Sequence, residues 1–370
     1  MTERKKLMKI VFAGGGTGGH INPALSIADY LRARDKDFEA LFIGTERGLE
    51  TKLVPRAGYE IKYIDIRGFD RSNPFNNIAV VKKLIKANSD CVKILKEFKP
   101  DAVVCTGGYV SGPAAIAAKK CGIPSFIHEQ NVYPGLTVKG AQRYVDYVAV
   151  SFDETVAHMK KRDKCVVTGN PVREEILNAD RGECRKKLGL EPDERFVLVF
   201  GGSLGAMRIN EAMAGVIPKL VNEKIRVLFG TGERNYKSVT DAVKNVPQNV
   251  TITPYINNMA EVMAAADLAV TRSGAITVSE LACLKMPAIL IPSPNVVRNH
   301  QEQNAKEFAD AGAAVLLRES ELSAESLYEA IMSLVSDEKR LSEMSEKMGG
   351  FAKCDALEKI AELLEKMEGN

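Results

Sequence analysis

The sequence lacks any apolar run near the ~20 residues a membrane-spanning helix needs, which excludes a helical membrane protein. It lacks charge of one sign: 51 Lys and Arg against 48 Asp and Glu leave +3, too balanced for a dedicated nucleic-acid binder. Seven cysteines stand at 91, 105, 121, 165, 184, 283 and 354, with no CxxC pair and no zinc-ligand spacing. Several lie in apolar runs such as AVVCTGG, so reduced core thiols are expected. Histidine is scarce: residues 20, 128, 158 and 300, no two at metal-ligand spacing. No GxxxxGK[ST] is present, which removes P-loop chemistry. The opening MTERKKLMKIVFAGGG is basic and then apolar, but its apolar part is short and runs into glycines; it reads as a first strand rather than a signal peptide.

What is present is strand–helix alternation. Short β-branched runs (KIVFA, ALFIG, IKYID, AVVCT, SFIH, YVAVS, CVVTG, then FVLVF, RVLFG, VTITP, LAVTR, AILIP, AAVLL) alternate with stretches apolar at three- and four-residue spacing, such as INPALSIADYLRAR. This predicts parallel sheets covered by helices on both faces. The pattern restarts: KIVFAGGGTGG opens the chain, and FVLVFGGSLGA opens it again near residue 196. Gly169, Asn170 and Pro171 mark a linker between the two halves. The expected fold is α/β, with two Rossmann-like, doubly wound domains facing across a cleft. Their bounds are 1–168 and 169–349, and a terminal helix in 350–370 is expected to return to the first domain.

Gly14, Gly16 and Gly19 match GxGxxG, and Asn22 and Pro23 are expected to start the following helix. The second strand ends in Ile43, Gly44 and Thr45, without the acid a dinucleotide site requires, and Glu46 comes late. Free amides at that helix start suit anionic or developing negative charge. The second loop, Gly201 to Gly205, also spells GxSxG, which would make Ser203 a nucleophile with His300 and Asp267. The preferred reading makes Ser203 a turn residue facing a phosphate. Asp35-Lys36-Asp37 spells DxD between a helix end and a strand and reads as a solvated turn.

Further polar residues fall at strand ends, where such sheets place ligands. Tyr109 follows AVVCTGG, and His128, Glu129, Gln130 and Asn131 end SFIHEQN. A helix is expected from Gly274, with Glu280 two turns in and suited to a ribose diol. Gln301 and Asn304 share a helix face and suit sugar hydroxyls. Residues 75–100 carry six lysines, two acids and a stripe of Ile78, Val81, Ile85, Val92 and Leu95. They read as a sheet-covering helix whose basic face, with Phe69 and Phe75 near, suits an anionic membrane.

Together GGGTGGHINPALSIA, TGGYVSGPAAIAA, IHEQNVYPGLTVK, TGNPVR, GGSLGAMRIN and RSGAITVSELACLKMPAILIP with NHQEQNA, in this order over residues 10–310, resemble the MurG family. These are bacterial enzymes that move N-acetylglucosamine from its UDP derivative to lipid-linked N-acetylmuramyl-pentapeptide in peptidoglycan synthesis. The resemblance implies the GT-B glycosyltransferase fold and a role in cell-wall growth, cell shape and division. It also implies a peripheral place on the cytoplasmic face of the membrane, with other cell-wall synthesis proteins as candidate partners. It places the donor on the second domain. Arg173 and Ser203 would meet the diphosphate, Ile256 the uracil, Ala275, Ile276 and Thr277 the phosphate-facing helix start, Glu280 the ribose, and Gln301 and Asn304 the sugar. Thr17, Gly18 and Gly19 would also face the donor. His20, Tyr109, His128, Glu129 and Asn131 would surround the acceptor. Leu204 and His300 stand where some members have glutamine. No cofactor is implied as obligatory; a divalent cation is allowed but tied to no residue. An unperturbed imidazole has a pKa of about 6.5, which suits His20 as the base, with His128 and Glu129 as the alternative. A UDP-N-acetylglucosamine 2-epimerase of the same fold is the competing reading.

Overall fold

The computed structural model describes residues 8–68, 77–202 and 205–368. Ser203, Leu204, Phe69 and Phe75 lie outside the described residues, as do the side chains of Ile78 and Val81. The chain forms two compact units, Met1–Pro171 with Cys354–Asn370, and Val172–Lys353.

In the first unit the order is β1 (Lys9–Gly14), α1 (Gly18–Arg34), β2 (Glu39–Gly44), α2 (Glu50–Arg56), β3 (Glu60–Tyr63), α3 (Asn77–Phe98), β4 (Ala102–Gly107), α4 (Ser111–Cys121), β5 (Ser125–Glu129), α5 (Leu136–Ala141), β6 (Tyr147–Val150), α6 (Asp153–Ala157) and β7 (Cys165–Val167). The second unit holds α7 (Glu174–Leu177), α8 (Arg181–Lys187), β8 (Arg195–Phe200), α9 (Met207–Val216), β9 (Ile225–Gly230), α10 (Tyr236–Ala242), β10 (Val250–Thr253), α11 (Met259–Ala265), β11 (Leu268–Thr271), α12 (Ala275–Cys283), β12 (Ala288–Leu290), α13 (His300–Asp310), β13 (Ala314–Leu316), α14 (Ala324–Val335) and α15 (Glu338–Gly349). The last helix, α16 (Ala356–Glu368), belongs to the first unit again.

Each unit has one sheet, ordered β3-β2-β1-β4-β5-β6-β7 and β10-β9-β8-β11-β12-β13. Every pairing is parallel. Each apolar β-branched run of the sequence forms one of these strands; in central strands such as β4 and β8, burial on both faces demands such runs. Alternate residues serve opposite faces. Val11, Ala13, Val103 and Cys105 join α3 and α4 on one side; Ile10, Phe12, Ala102 and Val104 join α1 and α16 on the other. From α16 come Leu357, Ile360, Leu363, Leu364 and Met367, each worth about 1.5–3 kcal/mol when buried. The strand order reverses between β1 and β4 in one sheet and between β8 and β11 in the other. Loops beyond the carboxyl ends at such points are where ligands bind.

Two local expectations are corrected. Helix α1 starts at Gly18 after Thr17, not at Asn22, and Pro23 lies inside it. Pro23 has no N–H to offer the Gly19 carbonyl, a loss confined to the first turns. The buried face of α3 runs through Ala87, Asn88, Cys91 and Leu95, while Ile85 is 68% exposed. The stripe read from the sequence is rotated, because small Ala87 and Asn88 let the helix lie close on α4, where Asn88 Nδ2 donates to Pro113 O at 3.2 Å. Lys82, Lys86, Lys93 and Lys96 are exposed on its other side. All seven cysteines are free.

Candidate functional site

In the first unit two glycine loops interlock beyond β1 and β4. A Cβ on Gly108 would fall 2.4 Å from Gly15 O, and one on Gly14 would fall 2.1 Å from Thr106 Oγ1. Gly16, Gly107 and Gly108 have φ of 90°, 111° and 77°, backbone that favours glycine. His20, third in α1, lays its ring on the Gly107 backbone, where a Cβ would sit 2.7 Å from its Cδ2. Its carbonyl accepts from Thr106 Oγ1 at 2.7 Å, and the residue is half-buried. Ser111 Oγ ties the second loop, accepting from Gly107 N at 2.9 Å and donating to Ala13 O at 2.8 Å. The Gly18 and Gly19 amides meet no acceptor among the described residues. Exposed Tyr109 lies against the backbone of Gly68.

His128 and Glu129 are placed otherwise than a catalytic pair requires. His128 is fully buried. Its Nε2 lies 2.9 Å from the Gly169 carbonyl, which only accepts, so Nε2 carries the proton; Nδ1 then accepts from Gln130 Nε2 at 3.1 Å. Burial pushes its pKa down to about 4. Both nitrogens are used within the protein, so His128 is a poor base. Glu129 is 2% exposed, and its oxygens accept from Asn131 N at 2.9 Å, Asn131 Nδ2 at 3.1 Å and Gly135 N at 2.8 Å. Burial pushes its carboxyl above the usual range despite these donors. It holds the 130–135 turn, and Asn131 is fixed with it.

His128 also makes stability pH-dependent. Its folded pKa lies below the unfolded value of about 6.5, so the unfolded chain binds more protons between the two, and stability rises with pH there. Acidification from about pH 6.5 toward about pH 4 should therefore destabilise the chain, by up to about 3 kcal/mol from this residue. Glu129, whose folded pKa burial raises, acts oppositely but is common to wild type and variant. His128→Gln keeps a donor for Gly169 and should flatten the slope of denaturation midpoint against pH. An unchanged slope would remove His128 as its source.

In the second unit, Gly202 and Gly205 carry φ of 87° and 74° after β8. A Cβ on Gly205 would strike Thr231 O at 2.2 Å. Asn210 Nδ2 donates to the same carbonyl at 2.9 Å. Ile256 is buried with its side chain on Gly230, where a Cβ would sit 2.9 Å from its Cδ1. Helix α12 starts after Gly274, which offers no side chain to cap it, and the Ile276 and Thr277 amides meet no acceptor among the described residues.

Glu280, 5% exposed, accepts from Arg173 Nε at 2.8 Å through Oε1. Its Oε2 accepts from no group among the described residues. Burial pushes its carboxyl above the usual range and Arg173 pulls it partway back. Two residues assigned separately from the sequence thus form one unit across 107 positions. Gln301 Oε1 accepts from Ser293 N at 2.9 Å, which leaves its Nε2 without an acceptor among the described residues. Asn304 is fully buried, and its Nδ2 donates to Ser273 O at 3.1 Å. That bond ties α13 to the turn before α12. His300 begins α13 behind Arg298 and Asn299, both with positive φ.

Asp267, the acid of the hydrolase reading, is engaged elsewhere. Asp267 Oδ2 accepts from Phe196 N at 2.7 Å, and Asp267 precedes β11 at the level where β8 begins. Phe200, at the other end of β8, lies about 13 Å along the strand. Asp267 serves instead as the partner of Arg181, Arg185 and Arg195. Asp35 Oδ1 accepts from Asp37 N at 2.9 Å, a closed local turn. No group of three or more His, Cys, Asp or Glu that could hold a metal occurs among the described residues.

The sequence reading missed Glu50. It is fully buried at the start of α2; Oε2 accepts from Gly16 N at 2.9 Å, and Oε1 accepts from Thr45 N at 2.9 Å and Thr45 Oγ1 at 2.8 Å. The available signal was an acid flanked by Gly44 and Gly48 shortly after β2.

Residues 10–150 match the glycosyltransferase family 28 N-terminal domain, and residues 196–363 its C-terminal domain. The chain is 45% identical over 365 residues to the UDP-N-acetylglucosamine–N-acetylmuramyl-(pentapeptide) pyrophosphoryl-undecaprenol N-acetylglucosamine transferase of Acetivibrio thermocellus, covering 98% of this chain and 99% of the relative. The enzyme of that name from Bacillus licheniformis is 44% identical, with 98% and 99% covered. A crystal structure of Acinetobacter baumannii MurG matches with a TM-score of 0.79 at 30% identity, over 97% of this chain and 99% of that one. A UDP-GlcNAc 2-epimerase from Neisseria meningitidis matches at 0.67 with 15% identity, over 97% and 100%, a likeness of fold alone. With two Rossmann-like sheets of the GT-B type and both family 28 domains in order, the chain belongs to the MurG family of glycosyltransferases.

Proposed function

We propose that the chain transfers N-acetylglucosamine from UDP-N-acetylglucosamine to the 4-hydroxyl of lipid-linked N-acetylmuramyl-pentapeptide, with inversion, in peptidoglycan synthesis. The observation that carries the reading is the near full-length identity to transferases of that name, which spans both units. The acceptor oxygen bonds to the sugar's anomeric carbon as the bond to UDP breaks; one in-line displacement inverts that carbon and needs no protein nucleophile. His20 takes the hydroxyl proton. The departing diphosphate gains charge, which Arg173 and the unpartnered Ile276 and Thr277 amides offset. Glu280 Oε2 accepts from ribose, Gln301 Nε2 donates to the sugar, and Ile256 holds its backbone toward uracil. In this scheme His128, Glu129 and Asn304 position loops.

The exposed lysines of α3 and exposed Ile85 support a peripheral seat on an anionic membrane, at its cytoplasmic face. No helix among the described residues is long and apolar enough to cross one. Vesicle binding by this face should weaken with salt; salt-independent binding would count against it. The deciding experiment is transfer of labelled sugar from UDP-N-acetylglucosamine to the lipid-linked acceptor without added metal. Label in the lipid is the expected result, since the chain's own groups meet the diphosphate charge. Donor consumed with no labelled lipid would sink the reading.

A further inference from the structure

We propose that Glu50 is a positioning residue for this transfer, a buried carboxylate that clamps the Gly14–Gly19 loop and, through it, sets His20. The inference rests on the transferase reading. An acid in the first turn of a short helix ordinarily faces water and eases its own helix dipole. Glu50 turns inward instead and is fully buried. Its two oxygens divide the work: Oε1 takes the backbone and hydroxyl of Thr45, and Oε2 reaches 34 residues back to Gly16 N. No cation pairs with it among the described residues; apart from its own amide, its donors are Gly16 and Thr45 of the two loops it joins. Burial alone would raise its pKa, yet these donors outweigh burial and hold the carboxyl below its usual range.

Three glycines clear the space it fills. A Cβ on Gly15 would lie 2.7 Å from Oε1, one on Gly44 2.7 Å from Cγ, and one on Gly48 1.9 Å from Oε2. They come from the end of β2 and from the loops after β1 and β2, and in each the nearest atom to an added Cβ belongs to Glu50. The path to His20 is short and made of close backbone contacts. Gly15 O backs onto Gly108, and the preceding Gly107 carries the His20 ring. The resemblance to a dinucleotide fingerprint also finds its explanation. The anion held by Gly16 is the protein's own, so a phosphate approaching that amide would meet a buried negative charge. The amides left for developing charge are those of Gly18 and Gly19.

The test compares wild type with Glu50→Gln and Gly48→Ala. Glutamine keeps the size, but its NH2 must face either the Gly16 or the Thr45 donors, so one link breaks. The Gly48→Ala methyl displaces Oε2 while leaving the acid in place, and serves alone if Glu50→Gln fails to fold. Both variants should lose about 30-fold or more in kcat, with KM for UDP-N-acetylglucosamine within about threefold of wild type. Both should show faster amide hydrogen exchange across residues 14–20. Wild-type kcat in folded variants overturns the proposal. So does a loss of kcat with exchange across 14–20 unchanged. If the wild type itself transfers no sugar, the transferase reading fails, and the exchange comparison still decides whether Glu50 holds the loop.

Discussion

Replacing His20 by alanine should lower turnover about 100-fold or more while leaving the donor's KM within about twofold. Three groups compete as the acceptor of the hydroxyl proton. His128 has both ring nitrogens engaged inside the protein, and burial takes its pKa down to about 4. Glu129 spends both oxygens on the 130–135 turn. His20 alone stands half-exposed at a helix start, its ring set by the Gly107 backbone and its carbonyl by Thr106. A base acts on the chemical step and not on nucleotide binding, so the loss should fall on kcat. The His128→Gln variant is the comparison: it should keep at least a third of wild-type turnover, about the cost of a small loop shift. Normal turnover in His20→Ala, or equal losses in the two variants, would remove His20 from the mechanism.

The strands were legible because parallel strands buried on both faces must be written as β-branched apolar runs, and FVLVF or AVVCT permits little else. The two glycine loops were legible as loops for the same local reason. What local pattern does not carry is where a side chain points once the sheets are built. Gln301 and Asn304 do share a helix face, but that face turns Asn304 into the protein, which only the packing of α13 decides. The apolar stripe of α3 was misjudged because small Ala87 and polar Asn88 take the close-packed positions while Ile85 faces out. Glu50 went unseen because its partner lies 34 residues away, and Arg173 and Glu280 were seen as separate because theirs lie 107 apart. Residue type gave each of these a chemistry; only the fold gave it a partner.

Glu280→Ala should raise the KM for UDP-N-acetylglucosamine by about 30- to 100-fold, the loss of one charge-assisted hydrogen bond at about 1.5–3 kcal/mol. The geometry explains why the effect belongs to the donor. Arg173 fixes Oε1, which orients the carboxylate of this buried residue, and Oε2 is left with no donor among the described residues. Oε2 keeps access to an incoming group, and a vicinal diol supplies two hydroxyl donors at once. Glu280 also stands two turns into α12, whose first amides take diphosphate in the proposed scheme, so one helix addresses two parts of one nucleotide. Glu280→Gln keeps an acceptor oxygen but loses the charge, and should fall between wild type and alanine. Stability should change little, because the Arg173 side chain is 46% exposed and stays solvated when its partner goes. The acceptor's KM should stay within about twofold, and product inhibition by UDP should weaken in step with the donor KM. A rise confined to the acceptor's KM, or undiminished inhibition by UDP, would move Glu280 out of the nucleotide site and leave its ion pair with Arg173 a structural one.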